Sequence, residues 1–154
     1  MTELTVDRVD LAWEAIAAGD RGKITEYWAE DVRFEIPGSH AYAGWYEGLD
    51  EFLGFLGAFG RLSGGTIRAE RITAMVDAAA GYSVDVNHNT ARRAGLTGTD
   101  ASPYRDLDVD ALHLLRWRDG RVVEGRWVIL GDGVARSELW FSPIDADGTR
   151  STEI

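Results

Sequence analysis

The 154-residue chain contains no cysteine. That absence removes disulfides, thiol nucleophiles and zinc–thiolate centres together, and it suits a reducing compartment, so a cytoplasmic location is expected. Positive charge is also scarce: 16 Lys and Arg stand against 26 Asp and Glu, for a formal net charge of −10. Phosphate backbones and anionic bilayers are bound by cationic faces, so neither nucleic acid nor a membrane surface is expected as a partner. No window approaches the ~18 apolar residues of a membrane span. The opening MTELTVDRVD carries neither the basic nor the apolar region of a signal peptide.

Metal and phosphate motifs are missing as well. RDLDVDALH sets Asp106, Asp108 and Asp110 at alternate positions, but an EF-hand loop would need Gly and Glu where Ala111 and Trp117 stand. The three Asp are expected on a solvated strand face. His40, His88 and His113 lack ligand spacing, so no metal site and no cofactor are expected. GLTGTD and SGG lead into no helix of the phosphate-cradling kind, and there is no G-x-S-x-G nucleophile elbow.

What is present is a globular composition, 45% hydrophobic and 27% charged, in a chain long enough to bury one core. Val6, Val9, Trp13, Ile16 and Ala17 recur at helical spacing until Gly19. Asp20 is a candidate N-cap for a second helix that turns Ile24, Tyr27 and Trp28 inward. DVRFEI alternates as a strand and ends at Pro37-Gly38, and SHAYAGWYEG reads as an aromatic loop. Leu49, Phe52, Leu53, Leu56 and Phe59 form a third helical stripe, with Phe55 off its centre. Extended segments follow at about residues 66–77, 80–93, 105–118 and 121–132. This order predicts an α+β fold with helices on one face of a curved, mostly antiparallel sheet. One domain is expected over residues 1–141, with a polar tail at 142–154.

The last two segments meet at Asp119-Gly120, a strong hairpin signal. An undistorted two-residue turn would place Leu115 opposite Glu124 and His113 opposite Arg126. His113, Glu124 and Arg126 would then share one apolar face with Val109, Ala111, Leu115, Trp117, Val122 and Val128. Two readings of that face stand: a core histidine beside a surface ion pair, or a pocket wall with three ionisable groups. His88 has the parity of Tyr82, Val84 and Val86 and is expected to point inward with them.

The helix-ending AAGD, then YWAEDVRFEIPG, AGWYEGLDEFLGFL, NTARRAG and LLRWRDGRVVEG occur in an order and spacing that resemble the SnoaL-like polyketide cyclases. These share the cone of the nuclear-transport-factor-two-like and ketosteroid-isomerase-like superfamily. The resemblance spans most of residues 6–132. It implies a cone-shaped, mixed, mostly antiparallel sheet packed on three N-terminal helices and enclosing a pocket. The isomerase base would sit at Ile36, its oxyanion Tyr at Ala12 and its second acid at His113, so that steroid mechanism is excluded. The cyclase Asp of the last strand would fall near Trp127, and the nearest acids are Glu124 and Asp132. The implied function is cofactor-free acid/base cyclisation or isomerisation of a polyketide-like or other secondary metabolite. His113, Glu124 and Arg126 are the candidate catalytic residues, and Trp13, Tyr42, Trp45, Tyr46, His88 and Asp132 the candidate substrate contacts. Epoxide opening and a non-catalytic ligand-binding or dimerisation module are the alternatives. A small apolar or aromatic substrate is expected, and a homodimer through Leu112, Leu114, Trp127 and Ile129.

Overall fold

The computed structural model describes residues 2–96 and 102–142, so all of the expected tail except Ser142 lies outside the described residues. In chain order the elements are α1 (Val6–Ala18), α2 (Arg21–Tyr27), β1 (Trp28–Ile36), β2 (Gly44–Glu47), α3 (Leu49–Leu62), β3 (Arg68–Asp77), β4 (Tyr82–Arg92), β5 (Asp106–Arg118), β6 (Arg121–Ile129) and α4 (Gly133–Phe141). The six strands form one sheet in the order β2-β1-β6-β5-β4-β3. Only β1 and β6 run parallel, which gives the mixed, mostly antiparallel cone that was expected.

Local chemistry explains the boundaries. Thr5 caps α1 by accepting the Arg8 N–H, and Gly19 closes it at φ 72°, a left-handed conformation that glycine enters without strain. Asp20 caps α2 as expected, accepting from the N–H groups of Gly22 and Lys23. Two elements are additional to the expected set. β2 arises inside the aromatic loop and pairs with β1, and α4 packs against β5. Phe55, placed off the helical stripe by periodicity, is buried because Phe141 of α4 packs 6.5 Å from its ring.

The core lies between the helices and the concave sheet face. Trp28, Trp140, Phe34 and Phe52 are among its largest fully buried members, with Phe34 and Phe52 stacked 4.2 Å apart at 11°. Gly125 makes room for this stack, since a Cβ there would overlap the Phe34 ring.

The hairpin corrects the expected register. Asp119 and Gly120 both take positive φ, 52° and 75°, as a tight primed turn requires. Trp117 faces Val122 as expected, but the next pair is Arg116 with Glu124. One extra residue, Val123, bulges out of β6 and inverts the parity of everything after it. His113 therefore faces Trp127, and Leu114 faces Arg126. Glu124 and Arg126 pass to the convex face, while Trp127 and Ile129 turn into the core. The expected partner surface changes accordingly: Leu112 and Leu114 keep it, Val128 replaces Trp127 and Ile129, and Met75, Tyr82, Val84 and Val86 extend it.

The expected parity of β4 is also reversed. Ser83, Asp85, Asn87 and Asn89 are the buried set, and Tyr82, Val84, Val86 and His88 face outward. The concave face is thus partly polar.

Candidate active site

Four elements meet around Asp85 and His113. These two are cross-strand partners on the concave face, Asp85 from β4 and His113 from β5. His113 Nδ1 lies 2.8 Å from Asp85 Oδ2. Asn87, two residues on, donates its Nδ2 to the same oxygen at 2.8 Å. From α1, Trp13 donates Nε1 to Asp85 Oδ1 at 3.3 Å and holds its ring 4.4 Å from the imidazole. Farther along, Arg71 of β3 donates Nε to Asn87 Oδ1 at 3.2 Å and meets Asp10 through Nη2 at 2.7 Å.

The Asp85 side chain is 1% exposed. Burial pushes its carboxyl up, but the hydrogen bond and charge of His113, with the amide of Asn87 and the indole of Trp13, outweigh it. The net position is below the ordinary carboxylate range, so Asp85 is ionised at neutral pH. An ionised carboxylate only accepts, which places the imidazole proton on Nδ1. The His113 ring lines the cavity, and among the described residues no hydrogen bond engages its Nε2.

That cavity has a volume of about 340 Å³. Its walls are Phe34, Phe52, Phe55, Phe59, Trp13 and Trp127, with Asp85, Asn87, Asn89, Arg71 and His113 among the polar lining residues. Asn89 is buried, and among the described residues no partner takes up its side-chain amide. An apolar chamber with a few convergent polar groups is suited to a small aromatic ligand.

Of the residues singled out in the sequence, His113 and Trp13 come together here. Glu124 and Arg126 do not. Glu124 lies among Arg33 at 4.0 Å and Arg116 at 3.8 Å on the convex face, and Arg126 meets Glu35 at 3.7 Å and the Trp45 ring at 5.0 Å. Trp45 stands on that same face under Arg33, 3.9 Å away. Tyr46 packs on Phe55 at 5.1 Å and donates its hydroxyl to the Tyr42 carbonyl at 2.7 Å, while Tyr42 packs on Phe141 at 5.7 Å. None of these three aromatics is among the described residues that line the cavity. His88 points outward to Asp110 at 2.8 Å and Asp108 at 3.4 Å, which also puts the acidic edge on the convex face as expected. Asp132 sits at the start of α4, exposed and paired with Arg136 at 3.2 Å.

Asp85, Asn87 and Asn89 escaped the sequence reading because their alternation with Val84 and Val86 resembles a solvated strand face. Their signal was D-x-N-x-N in the middle of a long strand with neighbours on both sides. A polar row in that position lines either solvent or a cavity. Among the described residues no group of His, Asp and Glu side chains is arranged to hold a metal ion. No helix among them is long and apolar enough to cross a membrane.

Comparison with known proteins agrees with this architecture. An uncharacterized protein of Mycobacterium tuberculosis is 33% identical over 92 residues, 58% of this chain and 68% of that protein. The structure of a protein from a soil-derived mobile gene cassette superposes with a TM-score of 0.71 at 24% identity, covering 86% of this chain and 94% of that one. A putative SnoaL-like polyketide cyclase from Jannaschia superposes at 0.64 with 16% identity, over 93% of this chain and 99% of its own. The model of the SnoaL-like domain matches residues 9–125, from the first helix through the turn of parity in the last strand, and the chain belongs to that family.

Proposed function

We propose that the chain is a cofactor-free acid/base enzyme that cyclises or isomerises a small apolar or aromatic carbonyl compound, with His113 as the proton-transfer group. The observation that carries this reading is the His113–Asp85 pair, whose 2.8 Å contact engages Nδ1 and leaves Nε2 without a hydrogen bond among the described residues, on a ring that lines an aromatic cavity. Nε2 would remove a proton from a carbon beside the substrate carbonyl, leaving an enolate and an imidazolium. The buried Asp85 carboxylate stabilises that imidazolium and holds the ring in place, and the face of Trp13 adds cation–π attraction. The uncommitted Asn89 amide and the Arg71 guanidinium are the donors available to substrate oxygens. Return of the proton at another carbon completes an isomerisation. Attack of the enolate carbon on a second carbonyl, with the proton delivered to the new alkoxide, completes a cyclisation.

Asp85 takes the supporting role beside His113, and Glu124 and Arg126, the other candidate catalytic residues of the sequence, have no part in this scheme. Epoxide opening through Asp132 or Glu124 loses support, since both lie away from the cavity. A purely ligand-binding role is disfavoured by the buried Asp85 carboxylate in the wall, which is costly to maintain for passive apolar binding. A homodimer through the convex patch around Leu114 and a cytoplasmic location belong to the same reading.

The test is proton exchange, the step common to both outcomes. In D2O at neutral pH the protein should accelerate loss of the α-proton signal of 2-tetralone, an activated aromatic ketone, followed by NMR. His113→Ala should reduce that acceleration about 10²–10⁴-fold. Equal rates with His113→Ala and wild type would refute the assignment.

A further inference from the structure

Arg93 is a buried cation outside the His113 cavity. It directly follows β4, and its backbone N–H donates to the Arg105 carbonyl at 2.7 Å. The next residue, Ala94, donates to the Leu62 carbonyl at 2.7 Å, which ties the strand end to the end of α3. Arg93 is 8% exposed. Its Nη1 donates to the Trp140 carbonyl at 2.9 Å, and the guanidinium lies 5.5 Å from the Trp140 ring. Among the described residues no carboxylate pairs with it, and burial pulls its pKa down. In a chain of net charge −10, Arg21, Arg33, Arg71, Arg92 and Arg126 each stand against an Asp or Glu. A buried guanidinium left without an anion is costly, and an arriving anion recovers that cost.

Arg93 shares a hollow of about 250 Å³ with Tyr42, Ala58, Arg61, Leu62 and Ala94. Arg61, in the last turn of α3, brings a second guanidinium that also has no carboxylate partner among the described residues. The helix dipole alone would favour Arg61 at that end. It does not account for Arg93, which is outside the helix. The terminal carbonyls of α3 are already taken, Phe59 by the Ser63 N–H, Gly60 by the Gly65 N–H and Leu62 by Ala94, so they present few free acceptors to the two cations.

We propose that Arg93, Arg61 and the Tyr42 hydroxyl form a binding site for a small oxoanion, the carboxylate or phosphate group of a metabolite. It sits by the C-terminal end of α3, and none of Tyr42, Arg61 and Arg93 lines the His113 cavity. Two guanidinium forks and a phenol match the planar oxygens of a carboxylate or the tetrahedral oxygens of phosphate.

The test is thermal unfolding of the full chain at pH 7 and constant ionic strength, titrated with sodium phosphate, sodium acetate or sodium chloride. Phosphate or acetate should raise Tm by several degrees in a saturable way, and chloride should not. The stronger of the two identifies the oxoanion. Arg61→Gln should move half-saturation at least tenfold higher, and Arg93→Met should abolish the response. Should Arg93→Met fail to fold, Arg61→Gln and Tyr42→Phe decide, since both side chains are at least partly exposed. Responses to phosphate and acetate no greater than to chloride would overturn the proposal. A saturable response unchanged in Arg61→Gln and Tyr42→Phe would do so equally.

Discussion

Asp85 and His113 face each other across neighbouring strands, and their side chains close to 2.8 Å between Oδ2 and Nδ1. Asp85 also takes hydrogen bonds from Asn87 and Trp13, so three elements fix one carboxylate. An ion held this way is a stabilising group as well as a positioning one.

Its pH dependence follows from sign. Burial opposes ionisation of Asp85, but His113, Asn87 and Trp13 prevail, and its folded pKa lies below the unfolded value of about 3.9. Stability from this group is therefore present above that value and is lost as pH falls toward the folded pKa. Asp85→Asn should lower stability at pH 7 by about 1–3 kcal/mol and flatten the stability curve below pH ~4. Urea unfolding across pH 2–7 measures both effects.

The other two histidines should titrate in opposite directions. His88 is raised from about 6.5, first by its hydrogen bond to Asp110 and then by the charges of Asp108, Asp110 and Glu70, with desolvation opposing. Its contribution to stability is present below the unfolded value and lost as pH rises through the folded one. His40 is lowered by burial, against the opposing charge of Glu138. NMR titration of the imidazole signals should show this order, and Asp110→Asn should return His88 toward 6.5.

Gly125 bears on the core. Gly125→Ala pushes a methyl group into Phe34 and Leu115, both fully packed. The expected loss is about 1–3 kcal/mol, read as a lower urea midpoint with unchanged m-value. A neutral result would mean that Phe34 can leave its stack on Phe52.

Much of this architecture was legible in the sequence. The helical repeat of Val9 and Trp13, the Asp20 cap, the DVRFEI alternation and the Asp119-Gly120 turn each act through local chemistry. The site was less legible because it depends on one residue of register. Val123 bulges, and Glu124 and Arg126 leave the face they share with His113 in an undistorted ladder. β4 inverted the usual argument from hydrophobicity. Its buried side is the polar one, because Asp85, Asn87 and Asn89 face a cavity rather than a packed core. β2 spans only four residues around Trp45, too few for alternation to stand out from a loop.

The convex face should be indifferent to the chemistry and sensitive to assembly. Glu124→Gln and Arg126→Gln remove half-exposed ion pairs, each worth about 0–1 kcal/mol, and should leave proton exchange unchanged. Leu114→Glu puts a charge into the patch of Leu112, Val84 and Val128. It should convert a dimeric mass to a monomeric one by light scattering, with the far-UV spectrum intact.

The most direct measurement is a double-mutant cycle on His113 and Asp85, read as α-proton exchange of 2-tetralone in D2O. Each of His113→Ala and Asp85→Asn should lower the rate, the former by about 10²–10⁴-fold, and the double variant should be no slower than His113→Ala alone. Wild-type rates in both single variants, or additive losses from two independent groups, would contradict the account.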